Sequence, residues 1–387
     1  MKKADAAYIK KINRKIVLDC IRENGPVSRS QISNLASISK PTVSCLVDGL
    51  LKEGWILEGE AGGSSIHGGR KPIYLRINET AAYIIGVDIG GTKVASGITD
   101  LSGKVLTWRW FKTSEPQNGQ ILNRLQHDVS SMIAELKIPE DKIMGMGIGN
   151  PGITDVEKGI VKEAPTLGWV NYPVKAAAEA IFDFPVFVDN DVNAGVLGEQ
   201  WIGAGRGKRN IIYLAIGTGI GSGIILNGEL YRGTNCGAGE IGYMVTDKKD
   251  AEHFNPIFKG FGYLESVAGG SFIGKKAGSI FSKDLTGKDV FQLAGKGERA
   301  ARRIVDQATE HLAFAIVNVA ALFDPELVIL GGGVAQSLGE WIERIRETVK
   351  KYAPNHPEIN MTSFGEEAGI IGAVSLFLKE HDSIITF

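Results

Sequence analysis

Apolar side chains recur at helical spacing from the start of the chain. Ile9, Ile12, Ile16, Val17, Cys20 and Ile21 fall on one stripe within residues 7–23, and Asn24-Gly25-Pro26 stops the run. Ser28 and Gln31 stand three apart at the head of a second, short helix, where each side chain satisfies the other's backbone N–H; Ile32, Leu35 and Ile38 supply its core face. Ser39-Lys40-Pro41-Thr42 opens a third helix, with Ser39 as N-cap and proline tolerated in the first turn. Val43, Leu46, Val47, Leu50 and Leu51 turn inward and leave Lys40, Thr42, Ser44 and Asp48 outside. Residues 55–58 and 73–77 read as two strands around a Gly/Ser loop. Beyond them, apolar strands at 84–87, 186–188 and 327–330 end in Gly- or Asp-rich turns, and helical patterning returns at 194–201, 300–322, 338–351 and 368–379.

Three helices and a hairpin in this order predict a winged helix-turn-helix over residues 1–78. Ser39, Lys40, Thr42 and Ser44, small or basic groups at an exposed helix start, suit base edges in a major groove; Arg70 and Lys71, in Gly68-Gly69-Arg70-Lys71-Pro72, suit the minor groove or its phosphates. The bland alternative is a helical cap or dimerisation module. Charge argues for DNA: residues 1–78 hold 13 Lys and Arg against 7 Asp and Glu, and the remainder 30 against 37. A basic head on an acidic body points to a polyanion partner for the head alone. If the head is a helix-turn-helix, palindromic operator DNA and a homodimer or larger assembly are expected with it.

A 387-residue chain with 43% hydrophobic and 22% charged residues has core enough for two or three domains. No apolar run approaches the roughly 18 residues that span a bilayer, and Met1-Lys2-Lys3-Ala4-Asp5 lacks a signal core, so a cytoplasmic location without membrane contact is expected. Cys20, Cys45 and Cys236 are too scattered for a disulfide framework or a zinc site.

The run Ile84–Lys93 carries the first candidate chemistry. A strand enters Asp88-Ile89-Gly90-Gly91-Thr92-Lys93, where a side-chain-free turn lets N–H groups face a phosphate, Asp88 can hold hydrated Mg²⁺, and Thr92 and Lys93 add donors. An ordinary hairpin turn looks the same. The outline repeats at Gly217-Thr218-Gly219, and a third cluster, Gly331-Gly332-Gly333, would lie near a base or ribose, which suggests two related lobes clamping phosphates. Between the first two turns, an apolar strand delivers Asp189, Asn190 and Asp191 to a strand-to-helix turn. Asp191 can accept a proton as a sugar hydroxyl attacks a phosphoryl group, or it and Asn190 can simply cap the next helix.

Taken together, the wing, the Asp88–Lys93 loop, Asn190-Asp191, Gly217-Thr218-Gly219-Ile220-Gly221 and Gly239-Glu240-Ile241-Gly242 resemble the ROK family of repressors and sugar kinases over essentially the whole chain. The resemblance implies an α/β body of actin-like, hexokinase type, two lobes behind the winged helix: residues 79–191 with a returning C-terminal helix at 366–387, and residues 192–365. It implies that Asn190, Asp191, Glu240 and Glu265 hold sugar hydroxyls and that the glycine loops surround ATP in a kinase. Two departures stand out. Tyr243 replaces the family's histidine, and Pro256–Glu265 replaces its cysteine cluster, so structural zinc is not expected and Phe258, Phe261 and Tyr263 would form an apolar cluster instead. Thr166 stands where kinases carry an asparagine that touches the sugar.

These features favour a sugar-responsive repressor of carbohydrate-utilisation genes, with xylose the first sugar to test on resemblance alone. No cofactor is required for that role, and Mg-ATP is the optional one. The alternative is an ATP-dependent sugar kinase carrying a DNA-binding domain, with Asp191 catalytic.

Overall fold

The computed structural model describes residues 6–61, 72–115, 120–249, 254–255, 260–261 and 264–381. Arg70, Lys71, Phe258 and Tyr263 lie outside these, as does the side chain of Phe261.

The first unit holds α1 (Ala6–Asn24), α2 (Arg29–Ala36) and α3 (Lys40–Lys52) on an antiparallel sheet of β1 (Val27–Ser28), β2 (Ile56–Ala61) and β3 (Ile73–Ile77), in the order β1-β3-β2. The reciprocal cap at Ser28 forms: Ser28 N donates to Gln31 Oε1 at 2.9 Å and Gln31 N to Ser28 Oγ at 3.4 Å. Ser39 caps α3 by accepting from Thr42 N at 3.4 Å. Val17, Ile21, Ile32, Val43, Val47, Leu50, Ile56 and Leu75 make a sealed core. The expected core faces need correction in two places. Leu35 is 59% exposed, because α2 is only eight residues long and presses a single turn, at Ile32, into the core. Ile9, Ile12 and Ile16 also face outward, because α1 meets α2, α3 and β3 through Val17, Leu18 and Ile21 near its C-terminal end.

The body is α/β, built on two five-stranded sheets of the same topology. In the first, β4 (Tyr83–Ile89), β5 (Lys93–Asp100) and β6 (Val105–Lys112) run antiparallel side by side, and β7 (Ile143–Asn150) and later β11 (Val186–Asn190) add parallel to β4. A small three-stranded sheet of β8 (Ile153–Asp155), β9 (Ile160–Ala164) and β10 (Trp169–Tyr172) intervenes. In the second, β12 (Ile211–Ile216), β13 (Ile220–Leu226) and β14 (Glu229–Leu230) are antiparallel; β15 (Phe254–Asn255) and β16 (Gly260–Phe261) pair apart; β17 (Leu327–Gly331) and β18 (Glu358–Met361) add parallel to β12. Both five-stranded sheets therefore read third-second-first-fourth-fifth, the duplication that the repeated glycine turns suggested.

Helices α4 (Ile121–Leu136) and α5 (Val174–Glu179) cover the first sheet. Helix α6 (Asp191–Ile202) leaves its last strand and packs on β12 and β13 of the second. The second sheet is covered by α7 (Glu265–Ala268), α8 (Gly270–Phe281), α9 (Gly287–Gly295), α10 (Arg299–Phe323) and α11 (Trp341–Tyr352). Its closing helix, α12 (Ala368–Glu380), crosses back onto β4 and β7 and lies against α6. The winged helix joins the body through Trp55 and Ile77, which pack both on its own core and on a cluster of Ala82, Ile84, Leu101, Val374 and Phe377. Among the described residues, no helix is long and apolar enough to cross a membrane.

Candidate functional site

Strands β4, β7 and β11 are parallel and in register, Asp88 beside Gly149 and Asn190 beside Asn150, so the ends of β4 and β11 emerge at one edge of the first sheet. There Asn190 is the N-cap of α6: its Oδ1 accepts from Val192 N at 2.9 Å and Asn193 N at 3.2 Å, and its Nδ2 donates to Gly152 O at 3.1 Å. The capping role read for Asn190 thus takes up its side chain. The Asp191 carboxylate accepts from the backbone N–H of Val192 at 3.0 Å.

Four carboxylates converge here. Glu265, at the start of α7, accepts from Ile220 N at 2.7 Å, so it sits under the Gly217–Gly219 turn. Burial, then Glu265 and Asp191, push the Glu240 carboxyl up; burial likewise raises Glu265. Burial pushes Asp191 up to about 6, against the helix-start N–H groups that favour its charge. Burial and the neighbouring Asp191 push Asp88 up to about 7, against the pull of Lys93. Lys93 offsets the cluster only in part, its Nζ lying 5.7 Å from the Trp108 ring centroid. The Gly90-Gly91 turn is pinned by Gly90 N donating to Lys93 O at 2.8 Å and Thr113 Oγ1 to Gly90 O at 2.7 Å, while Thr92 is exposed. Thr166 hangs over this turn; a Cβ on Gly91 would lie 3.0 Å from its Cβ. Tyr243 is 51% exposed near Glu240 in sequence.

These raised carboxyls make stability depend on pH. An unfolded chain titrates aspartate near 4, so the protonated forms stabilise the fold at low pH and that stability is lost as pH rises through about 6 and 7. The Asp88→Asn protein is therefore expected to gain several degrees of Tm on the wild type between about pH 5 and 8, and scanning calorimetry showing parallel pH profiles would contradict it.

The nucleotide set divides. Gly217 and Thr218 line a cleft of about 990 Å³ with Gly333, and Lys275, Lys283 and Lys288 stand around it. Gly219 faces Glu265 instead, a Cβ there meeting Oε2 at 2.4 Å. Gly332 lies behind the wall at φ +87°, where a Cβ would meet Ile216 O at 2.5 Å, so only glycine makes that turn without strain. Asp88, Gly90, Gly91, Thr92 and Lys93 do not line this cleft.

Sequence reasoning placed Asp189 at the strand end but missed the three lysines and Arg232, the partner of Asp189. Asp189 is 1% exposed; its Oδ1 accepts from Asn190 N at 2.7 Å and Asn193 Nδ2 at 3.0 Å, and its Oδ2 from Arg232 Nε at 2.7 Å. Arg232 is visible through contacts across 43 and 148 residues, to Asp189 and Glu380. On α3, Lys40 is exposed, Ser44 half-buried, and the Ser39 and Thr42 hydroxyls bond each other at 2.8 Å. Asp48 pairs with Arg29 at 2.8 Å.

Residues 84–380 match the ROK family and residues 15–57 the MarR family. The chain belongs to the ROK family. Among ROK relatives, it is 30% identical to the putative xylose repressor of Caldicellulosiruptor sp. (strain Rt8B.4) over 390 residues, 97% of each chain. It is 34% identical to the glucokinase of Thermotoga maritima over 323 residues, 77% of this chain and 97% of that one. A solved ROK family transcriptional regulator, a homolog of the E. coli MLC protein, shares its fold with a TM-score of 0.83 over 98% of each chain, at 22% identity.

Proposed function

We propose that this chain is a sugar-responsive DNA-binding repressor of carbohydrate-utilisation genes, acting in the cytoplasm. The observation that carries the reading is the likeness to a xylose repressor over 97% of both chains, against 77% of this chain for a glucokinase. In this reading Asp191, Glu240 and Glu265 accept hydrogen bonds from sugar hydroxyls, with Thr166 and Tyr243 at the rim. Crowded carboxylates gain more from such donors than solvated ones, because the donors replace water already lost. Xylose is the first candidate, after the named relative. The winged helix presents Lys40 and the start of α3 to a major groove, and two copies engage half-sites about 34 Å apart on a palindromic operator.

Sugar-controlled DNA binding needs no cofactor. The lysine-rimmed cleft nonetheless suits a polyphosphate: Gly217 and Thr218 would hold Mg-ATP from the floor, with Lys275, Lys283 and Lys288 around it, and it would supply a phosphoryl group. That supports a second reading, an ATP-dependent sugar kinase with a DNA-binding domain. Its best observation is Asp191, whose carboxyl near 6 suits a base that takes the proton of an attacking hydroxyl.

Fluorescence anisotropy on a duplex selected by the protein from a randomised library tests the choice. D-xylose or D-glucose is expected to shift the affinity of the wild type, and Lys40→Ala to weaken binding across sequences while lowering the salt slope by about one. DNA affinity indifferent to every sugar, alongside rapid Mg-ATP turnover, would favour the kinase.

A further inference from the structure

Helix α12 touches both ends of the problem that a sugar-controlled DNA binder must solve. At its N-terminal end, Gly369 lies against the Asp88 side chain, where a Cβ would meet Oδ2 at 2.2 Å. Toward its C-terminal end, Val374 and Phe377 are buried with Ala82, Ile84 and Leu101 in the cluster on which Trp55 and Ile77 of the winged helix rest. Phe377 also meets Phe187 of β11 edge-on, with ring centroids 5.7 Å apart.

One side chain ties the sugar-site corner to this helix. Arg232 leaves the loop after β14 of the second sheet, donates Nε to the buried Asp189 carboxylate at 2.7 Å, and donates Nη2 to Glu380 at the end of α12 at 2.7 Å. Asp189 in turn accepts from the backbone N–H of Asn190, just before Asp191, and from the side chain of Asn193, two residues after it. One guanidinium thus joins the second sheet, the first sheet's site strand and the returning helix. A fork with fixed donor directions transmits displacement in a way a flexible ammonium does not.

We propose that Arg232 is a positioning residue that sets the Asp189–Asp191 corner for sugar and, through Glu380, passes movement of that corner to α12 and so to the winged helix. The proposal rests on the sugar-responsive reading above. Its two legs separate by mutation. Glu380→Gln weakens the output leg and leaves Asp189 paired; Arg232→Lys keeps a positive charge at Asp189 and gives up the two-carboxylate fork. Arg232→Ala strands a buried carboxylate and is expected to lower stability as well as sugar affinity, so it does not decide the question.

The experiment measures, for full-length wild type, Glu380→Gln and Arg232→Lys, D-xylose and D-glucose affinity by calorimetry and operator affinity with and without saturating sugar, using the library-selected duplex. Both variants are expected to keep the wild-type Tm within a few degrees; Glu380→Gln keeps sugar affinity within a few-fold, whereas Arg232→Lys, which loosens the Asp189–Asp191 corner, lowers it. The ratio of operator affinities without and with sugar is expected to fall roughly fivefold or more. A purely structural ion pair would move Tm and leave that ratio alone. Wild-type ratios in both variants would overturn the coupling role while leaving the repressor reading intact. A wild type whose operator affinity ignores both sugars would overturn the reading, and this coupling with it.

Discussion

The Asp191→Asn protein is expected to bind sugar about 10- to 100-fold more weakly than the wild type while unfolding at a higher temperature. The two effects have one cause. A hydrogen bond to a charged acceptor contributes roughly 1.5–3 kcal/mol, and the amide keeps the shape of the group without that charge. Without sugar hydroxyls to donate to it the same charge is unfavourable: burial pushes the carboxyl up to about 6, with Asp189 adding to the shift, and its own field raises Asp88 and Glu240. Removing it relieves all three. Helix α6 keeps its start, because the cap belongs to Asn190. Calorimetric titration with D-xylose and D-glucose, beside a thermal scan, reads both signs. A fall in affinity and Tm together would make Asp191 structural, and unchanged affinity would remove it from the sugar site. Sites held under strain for a ligand tend to show this opposition of stability and binding.

How much of this was legible in the sequence depends on the range of the interaction. Local patterns carried well: the Ser28–Gln31 capping box, the Ser39 cap and the inward face of α3 stand where spacing put them, because each is decided within four residues. The duplicated sheets were legible from glycine turns at Gly90 and Gly217. Amphipathic stripes were less reliable. Ile9, Ile12 and Ile16 share a stripe with Val17 and Ile21, but which part of a helix is covered depends on the neighbours' lengths, and α2 is too short to cover it all. The two-residue strand β1 exists only because β3 lies beside it. The candidate site follows the same rule. Asp88, Asp191, Glu240 and Glu265 could be named one by one, whereas their convergence, the Asp189–Arg232–Glu380 chain and the gathering of Lys275, Lys283 and Lys288 around one cleft depend on contacts that no local pattern encodes.

The second large effect belongs to Gly147, in the middle of β7, where Gly147→Ala is expected to cost about 3–5 kcal/mol and to lower Tm by roughly 6–15 °C. A Cβ there would lie 1.8 Å from Ala373 O and 2.6 Å from its carbonyl carbon. The obstacle is backbone inside a helix, so no rotamer change relieves it, and rotating that carbonyl breaks a helical hydrogen bond. One turn earlier Gly86 meets Ile370 in the same way, with a Cβ 2.3 Å from its oxygen. Helix α12 therefore rests directly on a track of glycines, and a methyl group must lift it by more than an ångström. Lifting it pulls Val374 and Phe377 out of the cluster that seats Trp55 and Ile77. The sugar-dependent change in operator affinity is expected to vanish even in the fraction that stays folded, since the connection runs through that helix. Gly49→Ala in α3 is the control: its nearest neighbour would be Glu53 Oε1 at 3.9 Å, so it has room, and helix propensity favours the alanine by about 1 kcal/mol. Equal thermal shifts for the two variants would mean that α12 does not depend on close approach to the sheet.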